Sequence, residues 1–221
     1  QMCIRDSLSL MGYLSSKAII QTSAGNEMSQ CLSVAMGSIE MSLSNNRMVA
    51  ETMARGVEAV QRQAVKGEQT ASDWDAAAYQ EILTSFVESN PETFGGGIWF
   101  EPYQYRPEQR YFSPYCMRQN GAVTYVDNYS LGEGVYYTDQ DWYTNAANTT
   151  QKSVWSAPYY DEFAQISMVT SSAPIYDETG RLLGVATADI DLTQMQQMVL
   201  SLDVVANGRA FLIDDTGVYI A

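Results

Sequence analysis

Between Leu8 and Ala64 the chain has no proline, and apolar residues return every three or four positions from Met28 onward: Met28, Leu32, Ala35, Ile39, Leu43, Ala50, Met53, Val57, Val60 and Ala64. One stripe position, Asn46, is polar. This period predicts one long helix over residues 8–66. About 55 helical residues would extend roughly 80 Å, too long for one compact domain. The helix must span stacked modules or pair with a partner, and the stripe is expected to dimerise with a second copy in the whole protein. Gly12, Gly25, Gly37 and Gly56 each weaken it by about 1 kcal/mol against alanine, so packing must hold it together. The Met-rich stripe reads as packing surface.

The polar run Lys66–Asp73 breaks this pattern. Ser72 or Asp73 is placed to cap a second helix from Trp74 to about Ser89, which Asn90-Pro91 ends. The period then changes from three or four to two. Gly95-Gly-Gly97 leads into a strand at Ile98–Glu101. Two further strand-like runs, 110–118 and 122–126, flank Gln119-Asn-Gly121, where Asn-Gly signals a hairpin because both residues tolerate positive φ. Asp141–Ala147 reads as a short helix and Val154–Tyr160 as an extended segment. Gln165–Ile175 and Leu182–Ile190 read as a hairpin about the turn at Tyr176–Gly180. A helix is expected over Asp191–Leu202 and a fresh hairpin over 208–221. Helix followed by antiparallel strands occurs once and starts again. The pattern predicts an α+β chain of two sheet modules in tandem, the second cut short.

Composition narrows the chemistry. The 221 residues carry 12 Lys+Arg against 26 Asp+Glu, a net charge of −14, which repels phosphate backbones and argues against nucleic-acid binding. There is no histidine, which excludes Ser-His-Asp and Cys-His catalysis and any histidine-ligated metal. Cys3, Cys31 and Cys116 have no metal-binding spacing. No metal or cofactor is expected. The acidic pairs Asp161-Glu162, Asp177-Glu178 and Asp214-Asp215 raise the possibility of a glycosidase, but neighbours on a strand point apart, and turn chemistry explains the last two. Gly95–Gly97 lacks the Lys-Ser/Thr of a phosphate loop, and no twelve-residue calcium loop with a closing Glu is present. Enzyme activity is not expected.

Leu8–Ile20 is half apolar and reads either as the outer end of a membrane helix or as a helix start. Residues 1–7 read as a non-native, adapter-like leader, and the last residues stop inside a strand-like run, so the sequence reads as a piece of a longer protein.

Several spaced motifs then carry a resemblance. They are Trp142-Tyr143, Trp155-Ser-Ala-Pro-Tyr159-Tyr-Asp161, Ala173-Pro-Ile-Tyr176-Asp-Glu-Thr-Gly180 and Leu183-Gly-Val-Ala-Thr-Ala-Asp189-Ile-Asp-Leu192. In this order the chain, from about residue 30 to 221, resembles the double Cache sensor domains of bacterial chemoreceptors, histidine kinases and cyclic-di-nucleotide enzymes. The resemblance implies a PAS-like, membrane-distal ligand-binding module over 73–192. It also implies a linker helix and the start of a membrane-proximal module over 193–221, beginning near Ala206. The implied location is the periplasmic or extracellular side of the inner membrane, held there by flanking helices outside this sequence.

The residues themselves allow a pocket. Tyr159 and Asp161 alternate on one extended segment and share a face. Asp189 lies near a strand end, and Trp142 and Tyr143 open a helix. Aromatic walls with two carboxylates suit a cation. The resemblance assigns the ammonium half of an amino-acid site to Tyr159, Asp161 and Asp189, and a supporting tyrosine to Tyr136 or Tyr137. Where that site has an arginine for the ligand carboxylate, this chain has Gln140, a neutral donor between Asp139 and Asp141. The expected ligand is therefore a small cationic amine, with an amino acid as the alternative. A ligand-free dimerisation ectodomain is the third reading.

Overall fold

The computed structural model describes residues 2–64, 76–126, 129, 136–201, 211–213 and 217. Helix α1 runs Met2–Ala64 and α2 runs Ala76–Ser89. The strands are β1 Gly95–Phe100, β2 Tyr115–Gln119, β3 Ala122–Val126, β4 Val154–Trp155, β5 Tyr159–Asp161, β6 Ile166–Tyr176 and β7 Leu182–Asp191. A 3-10 turn at Tyr137–Asp139 precedes α3, Asp141–Ala147, and α4 follows β7 at Leu192–Leu200. The expected cap at Ser72 or Asp73 lies outside the described residues, as does nearly all of the hairpin expected over 208–221.

The chain divides into two compact units. One comprises Gln1–Glu40 with Gln194–Ala221, and the other Met41–Thr193. In the first, the described residues are the beginning of α1 and most of α4; Val34 and Met36 on α1 are exposed. No described helix is long and apolar enough to cross a membrane.

The second unit is built on one antiparallel sheet in the order β3-β2-β1-β7-β6-β4, with β5 also paired to β6. The β2–β3 turn falls at Asn120 and Gly121, whose φ angles of 53° and 82° are those of a tight hairpin turn. Gly95–Gly97 lies inside β1, not before it. Each strand sends alternate residues to opposite faces. Ile98 and Phe100 of β1, Ala173 and Ile175 of β6, and Ala186 and Ala188 of β7 pack under the helices. They meet Val49, Ala50, Met53, Ala54 and Val57 of α1 and Tyr79, Leu83 and Val87 of α2. Trp99, Tyr115, Met117 and Val185 turn the other way and pack with Tyr137, Trp142, Tyr143 and Ala146.

This arrangement corrects the dimer expectation for the stripe beyond residue 48. Met53 and Val57 are buried against the unit's own sheet, because the sheet's apolar face is the nearest surface that removes them from water. Asn46, the polar position in the stripe, is fully buried and satisfied. It accepts from Thr93 Oγ1 at 2.8 Å and donates to the Ser42 carbonyl at 3.1 Å. Polar contacts also hold α1 to the sheet side. Arg55 donates to Glu58 and to the Pro174 carbonyl, Glu58 accepts from the Tyr176 amide, and Ser153 donates to Glu51.

Candidate ligand-binding site

On the sheet face away from the helices, β5, β6 and β7 bring Asp161, Thr170 and Asp189 together. Thr170 pairs with Asp189 across β6–β7, and Asp161 pairs with Ile166 across β5–β6. Asp189 is 3% exposed. Its two oxygens accept from Thr170 Oγ1 at 2.7 Å and from Tyr115 Oη at 2.8 Å. Tyr159 Oη lies 2.8 Å from the same Thr170 hydroxyl. Asp161 accepts from the Ala164 amide at 2.7 Å, with the Tyr129 hydroxyl at 3.3 Å. One wall is Trp99, whose Nε1 donates to Thr187 at 2.7 Å and whose ring meets Trp142 with centroids 4.8 Å apart.

The glycine run at the start of β1 makes this possible. A side chain at position 95 would overlap the Tyr115 hydroxyl, and a Cβ at Gly97 would lie 2.9 Å from the Tyr115 ring. Gly95 and Gly97 thus leave the groove in which Tyr115 lies across the strand and reaches Asp189.

Two adjoining cavities result. The inner one, about 20 Å³, is lined by Trp99, Tyr115, Thr170, Thr187 and Asp189, among others. The outer one, about 370 Å³, is lined by Tyr137, Gln140, Tyr160, Glu162 and Phe163. Tyr129, Trp142, Tyr159 and Asp161 line both.

Among the described residues the ion pairs are Arg55–Glu58 and Arg181–Asp177, and no described Lys or Arg lines either cavity. Burial pushes the Asp189 carboxyl up to about 7, and the charge of Asp161 adds to that, while the Thr170 and Tyr115 donors pull the other way. Burial also pushes the Tyr115, Tyr129 and Tyr159 hydroxyls upward, with the nearby carboxylates reinforcing it, so these rings keep their protons as donors. Two carboxylates brought together in so dry a setting favour a cation that can donate hydrogen bonds.

Six of the residues singled out from sequence therefore meet around these cavities: Tyr137, Gln140, Trp142, Tyr159, Asp161 and Asp189. Gln140 stands at the N-cap position of α3 but makes no side-chain capping bond. Tyr143 is elsewhere. It points away from the cavities, buried, and donates to Glu101 Oε1 at 2.7 Å, because the residue following Trp142 on a helix faces about 100° round from it. Tyr136 stacks on Tyr111. Sequence reasoning missed Trp99, Tyr115, Tyr129 and Thr170. The one signal available for Tyr115 was the alternation Gly95-x-Gly97.

The fold is shared with the ligand-binding domain of the Campylobacter jejuni chemoreceptor Tlp3, solved in complex with L-valine. That match has a TM-score of 0.64 and 16% identity, over 93% of this chain and 73% of that one. Methyl-accepting chemotaxis protein X matches with a TM-score of 0.57 and 19% identity, over 85% and 75%. Residues 79–197 match the model of the methyl-accepting chemotaxis protein-like, first PDC sensor domain, and the chain belongs to that family. It is a sensor domain of the kind found in chemoreceptors and histidine kinases. It is 38% identical over 84 residues to the methyl-accepting chemotaxis protein McpC of Bacillus subtilis, and 32% identical over 104 residues to McpA of Pseudomonas putida. These segments cover 38% and 47% of this chain but only 13% and 16% of the two relatives.

Proposed function

We propose that this chain is the membrane-distal, ligand-binding part of a transmembrane receptor and detects a small cationic amine outside the cytoplasm. The observation that carries this reading is the pair Asp161 and Asp189, which have no basic partner among the described residues in a pocket walled by rings. An ammonium would supply the missing charge and donate to both carboxylates. The described lining of the outer cavity has Gln140 and Glu162 but no arginine or lysine, so a ligand carboxylate would find no ionic partner among those residues. An amino acid is the second reading, favoured by the likeness to Tlp3, which was solved with L-valine and with isoleucine.

A thermal-shift panel separates the two. At 100 times its dissociation constant a ligand stabilises the folded state by about 2.7 kcal/mol, a visible rise in melting temperature. Amines are expected to raise it most. Amino acids raising it more than every amine would reverse the assignment. In the whole receptor, dimerisation would use apolar residues of α1 that the sheet leaves exposed, such as Met41 and Met48, seven residues apart.

A further inference from the structure

We infer that the ligand is a primary arylalkylamine, with its ammonium in the inner cavity and its aromatic ring in the outer one. This rests on the reading that the pocket takes a cationic amine, and it specifies both ends of that amine.

The inner end is defined by size and by acceptors. About 20 Å³ holds one water-sized group and no more. Its polar wall includes the Asp189 and Asp161 carboxylates and the hydroxyls of Tyr115, Tyr129, Tyr159, Thr170 and Thr187, and carboxylates bind through N–H donation. A primary ammonium is small and brings three N–H donors. A quaternary ammonium is bulkier, has none, and is recognised through ring faces alone. The inner cavity therefore selects against methylation at nitrogen.

The outer end is defined by rings. Its wall is made by Tyr129, Tyr137, Trp142, Tyr159, Tyr160 and Phe163, and its volume of about 370 Å³ accepts a ring with room to spare. Tyr160 and Phe163 are 59% and 42% exposed, so their own packing does not account for them. Phe163 is nevertheless held in place. Asp161 accepts from the Ala164 amide through its side chain and from the Gln165 amide, at 2.8 Å, through its carbonyl, while Gln165 adopts a φ of 58°. The Phe163 ring meets Tyr129 edge-on with centroids 5.4 Å apart. Asp161 thus serves both ends: its carboxylate faces the inner cavity and its turn sets Phe163 at the mouth. A ligand ring seated there would remove Tyr160 and Phe163 from water and gain ring-on-ring contact.

Isothermal titration calorimetry on the 221-residue chain at pH 8 tests this with 2-phenylethylamine, its N,N,N-trimethyl derivative, ethylamine and phenylalanine. 2-Phenylethylamine should bind tightest. Trimethylation should weaken binding about thirtyfold or more, the cost of losing donation to a buried charge. Removing the ring, as in ethylamine, should weaken it about tenfold or more. Phe163→Ala, at an exposed position that the fold does not need, should weaken 2-phenylethylamine while leaving ethylamine unchanged. Equal binding of the trimethyl derivative, or equal binding of ethylamine and 2-phenylethylamine, overturns the inference while the amine reading stands. Binding of phenylalanine with no response to any amine overturns both.

Discussion

The two faces of the sheet are built from the same strands and obey opposite rules. Under α1 and α2, β1 presents Ile98 and Phe100 and β7 presents Ala186 and Ala188, a filled aliphatic and aromatic layer. One residue along each strand, β1 presents Trp99 and β7 presents Thr187 and Asp189, around the inner cavity. The helix face gains stability by burying apolar area. The pocket face forgoes some, keeping a carboxylate in a dry site with no described Lys or Arg beside it. Functional sites commonly carry a strain that packing elsewhere offsets. Mutations should therefore divide by face, those on one changing stability and those on the other changing affinity.

The largest expected effect is on the pocket face. Asp189→Ala should weaken amine binding by about 2–5 kcal/mol, or thirty- to several-thousand-fold, while the empty domain still unfolds cooperatively. Calorimetry and denaturant melts on the same sample check both halves. If the variant unfolds yet keeps its affinity, Asp189 is a structural strand-end residue and the contrast between faces is lost. The mirror experiment is Leu83→Ala on the sheet-facing side of α2, a fully buried position. It should cost about 2–5 kcal/mol of stability and leave the dissociation constant within twofold below the melting transition.

Acidity sharpens the contrast further. With its carboxyl near 7 when empty, Asp189 must lose a proton to pair with an ammonium. Affinity should fall as the pH drops below 7, by up to tenfold per unit, measured by titrating the amine from pH 8 to pH 5. Stability has the opposite sign. Between about pH 4 and 7 the folded protein binds more protons at this site than the unfolded chain, so this site's contribution declines as pH rises. Asp189→Asn removes that slope and should gain stability relative to the parent above pH 7, seen as a crossing of melting curves. An unchanged pH profile for the Asn variant would assign the slope to another group.

Smaller effects complete the series. Tyr159→Phe loses one neutral hydrogen bond, to Thr170, and should weaken binding by about 0.5–1.5 kcal/mol. Asp177→Ala should leave affinity unchanged. Asp177 caps its own turn, accepting from Thr179 and Arg181 at the far end of the β6–β7 hairpin. A measurable loss of affinity there would mean that the turn is coupled to the pocket.

Replacing both Met53 and Val57 with glutamate tests the helix face directly. Both side chains belong to the helix-face core, so the double variant should unfold the unit. Asn46 teaches the same lesson. In sequence it interrupts an apolar stripe, yet in the fold its amide meets Thr93 and the Ser42 carbonyl, two partners that periodicity cannot supply.

Local sequence determined the elements because their causes are local. Three- and four-residue apolar spacing makes a helix, Asn120-Gly121 permits positive φ at a turn, and the alternation in Tyr159–Asp161 puts two side chains on one face. Spaced motifs pointed to the family, and with it to Trp142, Tyr159, Asp161 and Asp189. Only the tertiary structure decided which remote residues complete the site. Tyr115 is 74 positions from Asp189, and it reaches that carboxylate because β2 pairs with β1, β1 pairs with β7, and two glycines leave a groove for its ring. Tyr143 lies beside Trp142 in sequence and faces away in space. Strand pairing between distant segments sets such contacts, and no window of neighbouring residues contains them.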